Sequence, residues 1–327
     1  MRRLRIDPFI VALVVAALLA SFLPATAAVI DVLKIVSLVA IGSLFFLYGT
    51  RLSMRETLLS VRHWRLHTVI LVTTFVAFPL AGLSAQLLEP AILTPALAAG
   101  VLLLCLLPTT VLANIIYTRS AGGNVAGAVV TASLSNLIGV FLTPALAALL
   151  MSADADVDTG SVLRIVLLLF VPLVVGQVLR PVIGRWVLRQ DRRLRRFERG
   201  SIVFVVYVAF SQGANAGIWT TLSVWSVLAL VAVCVVLLVT AFGWMWGLGR
   251  VLRFSRPDRV AMLFCGSNKS LASGLPLATV LFPGDTLALL LLPLMLYHQL
   301  QIVAGAFLAT RLARGGGESA SIEPGGR

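Results

Sequence analysis

Apolar runs close to the length of a bilayer crossing recur ten times along the chain, and most of its charge lies between them. Roughly 20 apolar residues carry a helix through the hydrocarbon core, where backbone groups must be satisfied within the protein. The first eight runs cover about residues 9–23, 32–49, 69–88, 96–117, 124–151, 162–179, 201–217 and 224–248. A ninth lies around 262–282 and a tenth at about 286–310. With 59% hydrophobic and 12% charged residues, the chain is read as an all-α polytopic membrane protein with ten transmembrane helices.

A formal charge of +13 suggests nucleic acid in a soluble chain, but here the basic residues cluster in short segments between apolar runs. That is the positive-inside pattern, and it argues against nucleic-acid binding. Ten crossings put both termini on one side. Of the 26 basic residues, all but Lys34, Arg164 and Lys269 then fall in cytoplasmic pieces. Asp31, Glu89, Asp154, Asp156, Asp158 and Asp285 fall on the other side. The expected location is the plasma membrane, the inner membrane of a bacterium, with N and C termini cytoplasmic. Arg2, Arg3 and Arg5 before the first run, and Ala25-Thr26-Ala27 after it, also fit a cleaved signal peptide. A retained span keeps the count at ten.

Cys105, Cys234 and Cys265 all lie in apolar runs with no CxxC or Cys/His spacing, and read as buried hydrophobes. His63 and His67 fall in a basic loop, and His298 in a separate apolar run. Neither a metal cluster nor a Ser/His/Asp set emerges, so an enzyme is not expected.

Two runs are interrupted by polar residues. The fourth breaks at Leu107-Pro108-Thr109-Thr110, and the ninth across Gly266-Ser267-Asn268-Lys269-Ser270 to Gly274 and Pro276. Proline removes a helical hydrogen bond, and the freed groups must face protein or a water-filled cavity. Positions four and nine correspond in two halves of five, and an odd number inverts the second half. The halves are residues 1–151 and 152–310, followed by a disordered cytoplasmic tail, 311–327. Paired broken helices in inverted repeats are the sequence expectation for a transporter whose site lies at the midplane.

The candidate pathway residues are Thr109, Thr110 and Asn114 at the first break, and Ser267, Asn268, Lys269 and Ser270 at the second. Ser133, Ser135 and Asn136 on the fifth run, Thr74 on the third, and His298 and Gln299 on the tenth complete the set. Hydroxyls, amides and freed carbonyls suit cation or ligand coordination. An ionisable residue at this depth is a functional-site hypothesis by default.

Several patches resemble the bile acid:sodium symporter superfamily, solute carrier family 10, in its bacterial SBF-like branch. They are Leu44-Phe45-Phe46-Leu47-Tyr48-Gly49, Arg62-His63-Trp64-Arg65-Leu66-His67, Leu107-Pro108-Thr109-Thr110 and Ala121-Gly122-Gly123-Asn124-Val125-Ala126. Phe264-Cys265-Gly266-Ser267-Asn268-Lys269-Ser270-Leu271-Ala272 and Tyr297-His298-Gln299 continue the series. The resemblance implies an inverted 5 + 5 arrangement of panel and core domains, with broken helices four and nine crossing and access alternating between the two sides. In its sodium-coupled members it implies ion ligands that match Asn114 and Asn268 here, with Ser133 nearby. This chain departs from that pattern: Phe264 occupies the acidic position of the ninth helix, and Ala113, Ala128, Ala132 and Thr74 replace other polar ligands. A desolvated Na⁺ then lacks its main countercharge, while Lys269 adds positive charge.

The function expected is cation-coupled secondary transport of an organic anion, in which Lys269 replaces the coupling cation or titrates with coupled protons. A simpler role for Lys269 is to bond freed carbonyls of the broken helix. No cofactor is expected beyond Na⁺ as a candidate coupling ion. The expected partners are the lipid bilayer and a small organic anion, with a homo-oligomer as an option. The alternative is a regulatory or scaffolding membrane protein that contacts others through the arginine-rich loop 180–199.

Overall fold

The computed structural model describes residues 8–51, 63–89, 91–151, 159–282 and 286–318. The sequence readings at Arg2, Arg3, Arg5, Arg55, Arg62, Asp154, Asp156, Asp158, Asp285 and 319–327 lie outside these. Every regular element among the described residues is helical.

The chain opens with α1 (Pro8–Phe22) and α2 (Ala27–Arg51). Next come α3 (Trp64–Val72), a π-helical turn (Thr73–Ala77) and α4 (Phe78–Gln86), which form one continuous rod. The interrupted fourth run gives α5 (Pro95–Leu106) and α6 (Leu112–Ser120), followed by α7 (Val125–Met151). Beyond it lie α8 (Thr159–Arg189), α9 (Asp191–Asn215), the short α10 (Ile218–Thr221) and α11 (Val224–Val251). The interrupted ninth run gives α12 (Arg256–Ser267) and α13 (Leu271–Leu281), and α14 (Leu287–Glu318) closes the chain.

Among the described residues six helices are long and apolar enough to cross a membrane: Val29–Arg51, Trp64–Gln86, Val125–Met151, Phe170–Val187, Val224–Val251 and Leu287–Arg314. Val11–Phe22 and Pro95–Leu106 are apolar but shorter. The protein is therefore a multi-pass helical membrane protein.

Three sequence expectations need correction. The arginine-rich stretch 180–199 is helix except at Gln190, because arginine is a good helix former and low hydropathy marks the edge of the hydrocarbon rather than the end of a helix. Within it Arg195 pairs with Asp191, and Arg51 reaches in from α2 to Glu198 at 2.7 Å. His67 is not in a loop but buried on α3, where its Nδ1 lies 2.6 Å from the Thr131 hydroxyl. The final helix runs on through 311–318, residues assigned above to a disordered tail, and the Leu312 carbonyl accepts a 2.6 Å hydrogen bond from Arg256.

Two packing groups follow from the contacts. Helices α1, α2, α8 and α9 pack on one another, and α3–α7 pack with α11–α14. In the first group glycine decides the approach of α2 to α8. A Cβ on Gly49 would strike the Leu173 carbonyl, and one on Gly176 the Phe46 carbonyl. Small residues that let backbones approach are the usual device of membrane helix pairs. Gly49→Ala is expected to cost about 3 kcal/mol, as overpacking against backbone does. Gly243→Ala, where nothing lies within 4 Å of the added atom, should cost nothing. Thermal melts of the purified variants compare the two.

Candidate functional site

The crossing is built from carbonyls that cannot complete a helix. In the α3–α4 rod the Phe78 N–H bonds to the Thr73 carbonyl, as the π-turn dictates, and Pro79 has no N–H. The Thr74 carbonyl is thereby released. Pro108 likewise ends α5, and Leu107 takes an extended conformation with ψ of 151°. These groups are buried, so each needs a donor from elsewhere.

Lys269 supplies three such donors. It lies between α12 and α13, is 1% exposed, and enters the gap between α4 and the end of α5. Its Nζ donates to the carbonyls of Thr74 at 3.2 Å, Cys105 at 3.1 Å and Leu107 at 2.9 Å. An ammonium has three N–H donors, and all three are used. The Phe78 ring closes the remaining side, with its centroid 3.9 Å from Nζ. Two of the carbonyls end α5, where the helix dipole presents its negative end to the cation.

Other donors complete the first break. Thr143 Oγ1 donates to the Leu106 carbonyl at 2.8 Å, Ser270 N to the Pro108 carbonyl at 2.8 Å, and Asn136 Nδ2 to the Thr109 carbonyl at 2.8 Å. Gly139 lets α7 lie against the break, since a Cβ there would be 2.8 Å from the Pro108 ring. The two breaks then touch directly. Asn268 Nδ2 donates to Asn114 Oδ1 at 2.6 Å, Asn114 Nδ2 to Thr109 Oγ1 at 2.9 Å, and Thr109 N to Ser135 Oγ at 3.1 Å.

The structure thus brings together Lys269, Asn268, Ser270, Asn114, Thr109, Ser135 and Asn136. Thr74 contributes its carbonyl, because its hydroxyl bonds back to Ile70. Thr110 and Ser133 are half-buried and take no part in these hydrogen bonds. Gly266, Gly274 and Pro276 lie inside helices, so the second break is confined to Asn268–Ser270, and Ser270 caps α13. The two glycines serve packing instead: a Cβ on Gly266 would meet Met245 and one on Gly274 would meet Leu107.

Three contributors were not among the candidate pathway residues. Gln301 Oε1 accepts from Lys269 N at 2.7 Å while its Nε2 donates to the Lys269 carbonyl at 2.8 Å. Its Nε2 also lies 2.9 Å from His298 Nδ1. Tyr297 OH donates to the Ser267 carbonyl at 2.7 Å, and the third is Thr143. Residues 297, 298 and 301 share one helix face, and that spacing was the available signal. Gln299, chosen from the sequence, leaves its buried Nε2 without a hydrogen-bond partner.

Three features describe the electrostatics. No Asp or Glu is buried among the described residues. Phe264 is fully buried against Tyr117, with ring centroids 5.4 Å apart, and provides no countercharge. Ser267 Oγ and Asn268 Oδ1 are buried with no hydrogen-bond partner among the described residues. The crossing is therefore a neutral oxygen-rich centre holding one covalently tethered cation.

A multi-pass helical protein with two interrupted helices touching through buried polar groups has the form of a membrane transporter. The chain belongs to the SBF-like CPA transporter family, whose sequence profile matches residues 7–314. It is 44% identical over 312 residues to the uncharacterized protein PA2026 of Pseudomonas aeruginosa, covering 94% of this chain and 93% of that one. It is 40% identical over 310 residues to YfeH of Escherichia coli, a candidate symporter by its name, covering 94% and 93%. Sodium/bile acid cotransporter 7 of mouse matches at 29% over 281 residues, 84% of this chain and 82% of its own. The family is one of transporters, not enzymes.

Replacing Gln301 by Leu should cost roughly 2–4 kcal/mol, because it orphans two buried backbone groups of Lys269. Gln299→Leu should be neutral or stabilising, since it removes a donor that has no partner. Thermal unfolding of the two variants in one detergent separates them.

Proposed function

We propose that the protein is a secondary active transporter of a small organic anion, coupled to Na⁺ or H⁺ and working by alternating access. In this reading ten crossing helices form two inverted halves of five, with both termini cytoplasmic in a bacterial inner membrane. The group α1, α2, α8 and α9 acts as a panel against which the remaining helices move as a core. The observation that carries the reading is the crossing itself: interrupted helices joined by Asn114 and Asn268, with a buried cation and no buried carboxylate among the described residues.

Charge selects the anion. A tethered ammonium and the N-terminal ends of α6 and α13 add positive potential to a centre of low dielectric. Lys269 has no donor left for a substrate, so it acts on the anion through its field and not by contact. Of the two coupling ions, Na⁺ is favoured by the unpartnered oxygens of Ser267 and Asn268, to which Asn114 is adjacent. These neutral ligands fit a weakly held monovalent ion.

Tyr48 supports a role for movement between the two helix groups. Pro276 has no N–H for the Ala272 carbonyl, and Tyr48 OH of α2 lies 3.3 Å from that oxygen and 3.2 Å from Glu198 Oε1. One hydroxyl thereby links the panel to the broken ninth helix, a contact that opening between the groups would break.

Uptake of organic anions into proteoliposomes, in Na⁺ and in choline at fixed membrane potential, tests the proposal. Saturable uptake is expected, reduced at least tenfold by choline and by Asn114→Leu, on the order of the loss of one charge-assisted ligand. Uptake that ignores choline but collapses with the proton gradient assigns coupling to H⁺. A protein that neither binds nor moves any anion across the panel sinks the reading.

A further inference from the structure

We infer that the carbonyls of Thr74, Cys105 and Leu107, together with the Phe78 ring, form a monovalent-cation site whose resident occupant is the protein's own Lys269 ammonium. The inference deepens the transporter reading by stating how one cation position at the crossing is filled, and its consequence for coupling rests on that reading. Its test does not.

The argument starts from the carbonyls. Three oxygens from two different rods converge within 3.2 Å of one nitrogen, and each has been released by a local feature of its own helix. The π-turn and Pro79 release Thr74, and Pro108 and the end of α5 release Cys105 and Leu107. The Thr109 N–H that a continuing helix would return to Cys105 goes to Ser135 Oγ instead. Converging carbonyl dipoles with an aromatic face suit a cation and not an anion.

The occupant comes next. A lysine normally buried at a helix crossing is balanced by a carboxylate, and no Asp or Glu is buried among the described residues. The compensation here is dipolar, from three carbonyls, the negative end of α5 and the ring quadrupole. An ammonium is close in charge and coordination to a small free cation, with the difference that its tether removes the entropy cost of capture. The Lys269 backbone is fixed at both ends by Gln301, at 2.7 and 2.8 Å, so the ammonium is delivered to the cage by a rigid arm.

Two consequences follow. This position takes no ion from solution, so any coupling ion binds elsewhere in the crossing. A shortened side chain leaves a cage that accepts a free small cation bearing N–H groups, or a bare alkali ion.

The experiment uses the purified full chain in detergent and measures thermal unfolding at matched ionic strength in choline, Na⁺, n-propylammonium and tetramethylammonium chlorides. For the wild type the melting temperature should be the same within about 1 °C in choline, n-propylammonium and tetramethylammonium, and a rise in Na⁺ alone reports the separate Ser267 and Asn268 oxygens. Lys269→Ala should melt lower in choline by roughly 5–10 °C, the range for several unpartnered buried groups. At least half of that loss should return with n-propylammonium or Na⁺, and none with tetramethylammonium, whose methyl groups hold its charge away from the carbonyl oxygens. A Lys269→Ala protein that responds to these salts no more than the wild type overturns the inference. If Lys269→Ala does not accumulate, Lys269→Arg and Lys269→Met decide. Arg retains charge and donors and should be the more stable, while Met matching or exceeding Arg overturns the inference. Because no transported substrate is needed, failure here leaves the transport proposal standing, and failure of transport leaves this result intact.

Discussion

The crossing depends on one ammonium that satisfies three backbone carbonyls at once. Helix interruptions inside a membrane protein expose groups that hydrocarbon cannot solvate, and each orphan costs several kcal/mol. Lys269 removes three such orphans from two separate rods, and so ties the α3–α4 rod to the end of α5. Without it the π-turn at Thr73–Ala77 and the break at Pro108 would each leave unpaired oxygens facing apolar side chains.

The rest of the site is organised around the same requirement. Thr143, Asn136 and the Ser270 N–H take the next three carbonyls of the first break, and Tyr297 takes that of Ser267. Even the link to the other helix group obeys it, since Tyr48 reaches a carbonyl that Pro276 has released. Prolines in these helices thus create acceptors, and polar side chains from neighbouring helices occupy them. This pattern explains the Thr and Ser at depth: most of them bond backbone, which uses the one donor of each hydroxyl and leaves only lone pairs for a ligand.

Membership in the SBF-like CPA transporter family places these features in a chain whose relatives align along nearly its full length. Within that frame, the charge balance of this crossing is specific. Phe264 packs against Tyr117 as part of the core, Ala128 and Ala132 are fully buried without hydroxyls, and the tethered cation stands opposite dipoles only. Oxygens of Ser267 and Asn268 are the part of the crossing that remains unpartnered among the described residues.

Much of this was legible in the sequence. Hydropathy located the apolar runs, and Pro108 and the polar stretch 267–270 located both interruptions, because proline and buried polarity are local properties. Hydropathy misjudged 180–199 and 311–318, where a helix continues beyond the apolar surface that signals it. It also took His67 for a loop residue, since partnering with Thr131 depends on a helix packed 64 positions later in the chain. What the tertiary structure alone decided is where each freed carbonyl finds its donor. Gln301 rather than Gln299 holds Lys269, Thr74 acts through its backbone, and the ammonium of Lys269 turns toward α4 and α5 and away from the Asn114–Asn268 contact. Those outcomes depend on distances between helices far apart in sequence, so a residue's type could announce a polar centre but not the partner it serves.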